Sequence, residues 1–111
     1  MATVDKDKVF TAEAIRVTTV VNSVIANTGE FNAETIVIYN DLDETVSIQL
    51  QGSLDETNWI DIGDPFNVAT NIKDYATVTD YFPCYRITAI CSTAPTTGDL
   101  DAWILKAGAV N

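Results

Sequence analysis

At 111 residues the chain fits one domain, long enough to bury a core without metal or disulfide staples. Its net charge of −10 comes from 16 acidic residues against Lys6, Lys8, Arg16, Lys73, Arg86 and Lys106. That balance argues against nucleic-acid binding, since neutralising phosphates takes clustered cations and the close pair Lys6 and Lys8 is interleaved with Asp5 and Asp7. An apolar share of 47% with 20% charged residues is the balance of a folded globular domain and excludes wholesale disorder.

Met1 to Lys8 lacks the basic region and apolar stretch of a secretory signal. No apolar run reaches the ~20 residues of a membrane helix, so a soluble protein outside the membrane is expected. Residues 1–8 are polar and are expected to form a flexible or partner-bound arm, followed by one β-sandwich domain over 9–111. Val9, Phe10 and Ala12 offer apolar groups that an isolated tail would leave wet. Two readings of 9–14 follow: the first strand of the chain's own core, or an attachment element covered by a partner.

Ile15 to Ile25 is packed with Ile, Val and Thr, whose branched Cβ atoms suit a pleated surface, and a helix through Ala14, Val17, Val21 and Val24 competes with the strand. Asn27-Thr28-Gly29-Glu30 marks a turn and Glu34 to Asn40 a buried strand. After the polar connection Asp41-Leu42-Asp43-Glu44, the strand Thr45 to Gln51 is expected to return as a hairpin partner. Within it Val46, Ile48 and Leu50 share one face and Ser47, Gln49 and Gln51 the other, as a strand half-covered by a core requires.

Asp55 and Asn58 can build a compact turn by hydrogen-bonding their own backbone, and Trp59 restarts the order with a large apolar anchor. Gly63-Asp64-Pro65 breaks the next run before Phe66 and Val68, and Tyr75 to Thr79 is a further strand. Pro83 stiffens the entry into Cys84 to Cys91, which turns Tyr85, Ile87, Ala89 and Cys91 to the core and Cys84, Arg86, Thr88 and Ile90 away from it. Ser92 to Gly98 is expected to be a long hairpin loop. In the last strand, Leu100 to Lys106, Leu100, Ala102 and Ile104 fill the core and leave Trp103 and Leu105 to a neighbour or partner. Eight or nine short strands without a convincing helix predict an all-β, antiparallel β-sandwich, jelly-roll or immunoglobulin-like.

Little in the chain suggests catalysis. There is no histidine, and Gly29, Gly52, Gly63, Gly98 and Gly108 are too scattered for a phosphate-cradling loop. Asp41, Asp43, Glu44, Asp55, Glu56, Asp61, Asp64, Asp99 and Asp101 have the chemistry for glycoside hydrolysis, and Asp41-Leu42-Asp43-Glu44 or Asp99-Leu100-Asp101 for calcium, but they sit in turn-like segments without calcium-loop spacing. Seven residues apart on one strand, Cys84 and Cys91 lie on opposite faces, which excludes a disulfide between them. No cofactor and no enzymatic activity are expected. Tyr75, Tyr81, Phe82, Tyr85, Trp59 and Trp103 are either a sugar-stacking platform or core and interface anchors.

The string Ile36-Val37-Ile38-Tyr39-Asn40, Val46 to Ser53, Asp55-Glu56-Thr57-Asn58-Trp59, Ile62-Gly63 and Phe82 to Ile87 resembles small β-sandwich head-decoration (cement) and accessory structural proteins of tailed-phage virions. The likeness covers Glu34 to Lys106. The Gly-Ser-x-Asp, Asn-Trp pattern is also similar to carbohydrate-binding sandwiches, and Glu56 stands where the turn often has glycine. The resemblance implies a virion protein, made in the host cytoplasm, that binds and stabilises the shell through capsid protein, commonly as a symmetric homo-oligomer. It transfers no catalytic residue. Val9, Phe10, Trp103 and Leu105 are the interface candidates. An extracellular carbohydrate-binding or adhesive module is the rival class.

Overall fold

A computed structural model of the chain describes residues 2–27, 33–78 and 82–109. The strands are β1 (Ala2–Glu13), β2 (Val21–Asn22), β3 (Ala26–Asn27), β4 (Ala33–Asn40), β5 (Val46–Ser53), β6 (Ile60–Val68), β7 (Ile72–Val78), β8 (Cys84–Ile90) and β9 (Leu100–Ala109). They form two sheets, one in the order β1-β9-β4-β7 and the other β2-β8-β5-β6, with β3 also on β8. Pairing is antiparallel throughout. Among the described strands, β2 and β3 share a sheet and so do β5 and β6; all other pairs of strands successive in sequence lie on opposite sheets. With β2 and β3 taken as one interrupted strand, this order is that of a jelly roll rather than an immunoglobulin-like sandwich.

The interruption has a local cause. From Asn22↔Thr88 to Ala26↔Tyr85 the first strand advances one residue more than β8, a bulge. Ser23 spans it: its N–H donates to the Ile87 carbonyl at 2.8 Å, and its Oγ accepts the Ile87 N–H at 2.9 Å. Residues 14–20, expected to be strand or helix, form neither. They carry the chain from one sheet to the other, where no ladder partner is available despite their branched side chains.

Two hairpins expected from the sequence are instead crossings. β4 pairs with β7 and β9, whereas β5 pairs with β6 and β8, so 41–45 is a corner between sheets. The corner holds because Leu42 is fully buried beneath it, and because the buried Asn40 amide accepts from the Leu42 N–H at 3.0 Å and donates to the carbonyls of Val68 at 2.9 Å and Glu44 at 3.1 Å. The 91–99 connection crosses likewise and packs on the first, with Asp41 N–H on Asp99 O and Asp43 N–H on Thr97 O.

Residues 2–8, expected to be an arm, belong to β1 and pair with β9 from Ala2↔Ala109 to Lys8↔Trp103. A ladder uses backbone groups and tolerates polar side chains at a sheet edge, where charges also deter stray pairing. Val9 and Phe10, expected at an interface, are 3% and 1% exposed and belong to the chain's own core. Gly63-Asp64-Pro65 does not break β6. Gly63, at φ 67°, lies in a bulge between the pairs Leu50↔Ile62 and Ile48↔Phe66, and Pro65 is tolerated because β6 is an edge strand.

The core lies between the sheets: Phe10, Ile36, Ile38, Val46, Ile48, Ile87, Leu100 and Ile104, each worth roughly 1.5–3 kcal/mol on burial. Tyr85, Ile87, Ala89 and Cys91 point inward as expected. Tyr85 satisfies its hydroxyl by accepting the Phe82 N–H at 2.9 Å. Both cysteines are buried free thiols.

Candidate functional site

The sandwich presents two broad sheet faces, and alternation along each strand decides what they carry. On the outer face of β1-β9-β4-β7 the register aligns Lys8, Trp103, Val37 and Tyr75 in one row across four strands. The neighbouring row aligns Asp101, Tyr39 and Lys73. Trp103 meets Tyr39 edge to face, with ring centroids 4.7 Å apart at 64°.

Cations cover this aromatic pair. Lys8 Nζ lies 4.9 Å from the Trp103 ring centre and Lys73 Nζ 5.1 Å from that of Tyr39. Lys8 is also 3.1 Å from Asp101, whose carboxylate accepts the Ala12 N–H. Between Trp103 and Leu105 a hollow of about 280 Å³ opens, walled by Val37, Tyr39 and Lys6. Tyr75 stands 68% exposed beyond it. In a strongly acidic chain, three of the six cations thus share one face with three aromatic rings.

The outer face of the other sheet is polar. Arg86 lies over the Trp59 ring, its guanidinium carbon 4.3 Å from the ring centre, and its Nε donates to Gln51 Oε1 at 2.8 Å. Gln51 Nε2 in turn donates to Asp61 at 2.8 Å. Beside this chain runs a groove of about 430 Å³ lined by Asn22, Ser47, Gln49, Pro65, Thr88 and Ile90 among others. Trp59 is set there by the turn before it, in which Asp55 accepts the N–H groups of Thr57 at 3.0 Å and Asn58 at 2.9 Å. Those bonds, with the Asn58 side chain and Ser53, hold the Asp55 carboxyl well below the usual carboxylate range.

Of the expected interface residues, Trp103 and Leu105 lie half-buried on the outer face, while Val9 and Phe10 do not reach it. The six aromatics form no common platform. Tyr85 is core, Trp59 and Trp103 lie on opposite sheets, and Tyr81 lies outside the described residues. The candidate carboxylates disperse into structural roles: Asp43 onto Thr96, Asp55 into its own turn, Asp61 onto Gln51 and Asp101 onto Lys8. Among the described residues no three acidic or cysteine side chains converge as metal ligands, and no helix is long and apolar enough to cross a membrane.

Sequence reading missed Tyr39, Lys8 and Lys73 because their grouping depends on β4 lying between β9 and β7. The Gln51–Arg86 contact had a visible signal, since each residue is placed on the outward face of its strand.

No protein-family model and no curated protein sequence matches the chain. Solved structures share its fold, among them two at 14% identity. One is the PBSX exported protein XepA, with a TM-score of 0.75 at 14% identity over 96% of this chain; the chain spans only 38% of that protein's length. The other is PirA, with a TM-score of 0.53 at 14% identity, covering 95% of this chain and 93% of PirA.

Proposed function

We propose that the chain is a non-enzymatic structural protein of a tailed-phage virion, which binds capsid protein and stabilises the shell. The observation that carries the reading is the jelly-roll order of the strands, in a fold it shares with a phage-associated exported protein. The chain's own sequence adds its resemblance to head-decoration proteins. The docking face in this reading is the outer side of β1-β9-β4-β7. Trp103 and Leu105 supply apolar anchors there, and Lys73, over the Tyr39 ring, a cation that fits an acidic group on the shell. Copies gather as a homo-oligomer on the shell, where symmetry brings them together. The protein is made in the host cytoplasm and ends in the virion.

Density-gradient purification of particles from a culture producing the chain, with mass spectrometry of the particle band, tests this. The chain is expected in the band in fixed ratio to the major capsid protein. Its presence only in the soluble fraction counts against the virion assignment.

A further inference from the structure

We infer that the groove on the outer face of β2-β8-β5-β6 binds a sugar bearing a carboxylate, with Arg86 as the anchoring residue. The inference goes beyond the virion reading and does not depend on it.

Arg86 is held from two sides. The Trp59 ring lies against the guanidinium, 4.3 Å from its central carbon, and Gln51 accepts from its Nε. The orientation of Gln51 follows from Asp61, because an ionised carboxylate only accepts; it draws the amide NH₂ and leaves Oε1 for Arg86. The terminal nitrogens Nη1 and Nη2 are therefore presented in a set geometry. Among the described residues they donate to no protein acceptor, and Arg86 makes no ion pair. In a chain with 16 acidic residues, a half-buried guanidinium held in place with no carboxylate of its own is the feature that asks for a ligand. Its fork matches a carboxylate bidentately.

The walls select what carries that carboxylate. Asn22, Ser47 and Thr88 offer donors and acceptors for hydroxyls. Gln49 gives its NH₂ to the carbonyls of Leu50 and Ile62 and keeps Oε1 as an acceptor. Pro65 and Ile90 supply the apolar surface that the C–H face of a pyranose needs. The groove's 430 Å³ falls at the small end of ligand sites, enough for one or two rings. The single Arg86 and the nearby Asp61 favour a monoanion over a phosphate dianion, and the chain's net charge of −10 disfavours a densely charged polymer.

The test is an NMR titration of the full chain with sodium glucuronate, following the Arg86 Nε–H and the indole N–H signals of Trp59 and Trp103. Glucose and acetate serve as half-ligands. Glucuronate is expected to shift Arg86 and Trp59 and leave Trp103 in place, with glucose and acetate each binding at least about tenfold more weakly. Arg86→Lys should weaken glucuronate binding by a similar factor, because a point charge replaces the fork. Gln51→Glu combined with Asp61→Asn supplies Arg86 with a partner carboxylate without setting two carboxylates against each other, and should abolish binding while the chain stays folded, so lost binding is separated from lost structure. No glucuronate shift up to the solubility limit overturns the inference. So does glucose binding as tightly as glucuronate, a response confined to Trp103, or wild-type affinity in both variants.

Discussion

Gly98 is seated against the backbone of Asp41 so closely that a Cβ at Gly98 would overlap the Asp41 carbonyl oxygen and stand 2.7 Å from its carbonyl carbon. Its φ of 85° also lies where side chains are strained. The contact locks together the two crossings that close one end of the sandwich. Gly98→Ala is expected to lower the unfolding free energy by on the order of 3 kcal/mol, read as an early midpoint in urea denaturation.

Asn40 is the second clasp of that end. Its buried amide satisfies one N–H and two carbonyls, so Asn40→Ala strands buried polar groups that cost about 1–3 kcal/mol each when unmade. A fall of several degrees or more in thermal midpoint is predicted; an unchanged midpoint would remove the corner from its place in the fold.

The two cysteines give a direct chemical check. Both are buried, and burial, aided by the Glu44 carboxylate, pushes the Cys91 thiol up. Native protein should leave a thiol reagent unconsumed, and two thiols per chain should titrate once it is denatured. Intact mass without reductant should show no loss of hydrogens.

Asp55 sets the acid response of the turn beneath Trp59. Bonds from the Asn58 and Thr57 N–H groups stabilise its charged form, so its pKa in the folded chain lies below the unfolded value of about 3.9. A depressed carboxylate adds stability above the unfolded pKa and loses it as pH falls toward the folded one. The stability deficit of Asp55→Ala relative to wild type is therefore expected to be full at neutral pH and to shrink below about pH 4. A deficit that stays constant into acid would show that the charge of Asp55 plays no part.

Strand alternation made much of the sandwich legible: Val46, Ile48 and Leu50, and again Tyr85, Ile87 and Ala89, point inward as the pattern requires. Connectivity was not legible in the same way. A short polar link such as 41–45 suits a hairpin as well as a corner, and only the burial of Leu42 and the bonds of Asn40 distinguish the two. The polarity of residues 2–8 misled because β1 is held there by backbone pairing with β9. Trp103 and Leu105 were visible as apolar groups in excess of the core. Their companions Tyr39 and Lys73 come from strands whose neighbours local sequence does not specify.

The most direct measurement on the docking face is cosedimentation of the purified chain with empty shells stripped of accessory proteins, comparing wild type with Trp103→Ala and Lys73→Glu. Interface tryptophans often contribute about 2 kcal/mol or more, so Trp103→Ala should weaken binding by roughly thirtyfold. Lys73→Glu should slow association and flatten its salt dependence. Wild-type chain that stays in the supernatant at every shell concentration, or variants that pellet as wild type does, would contradict docking through this face.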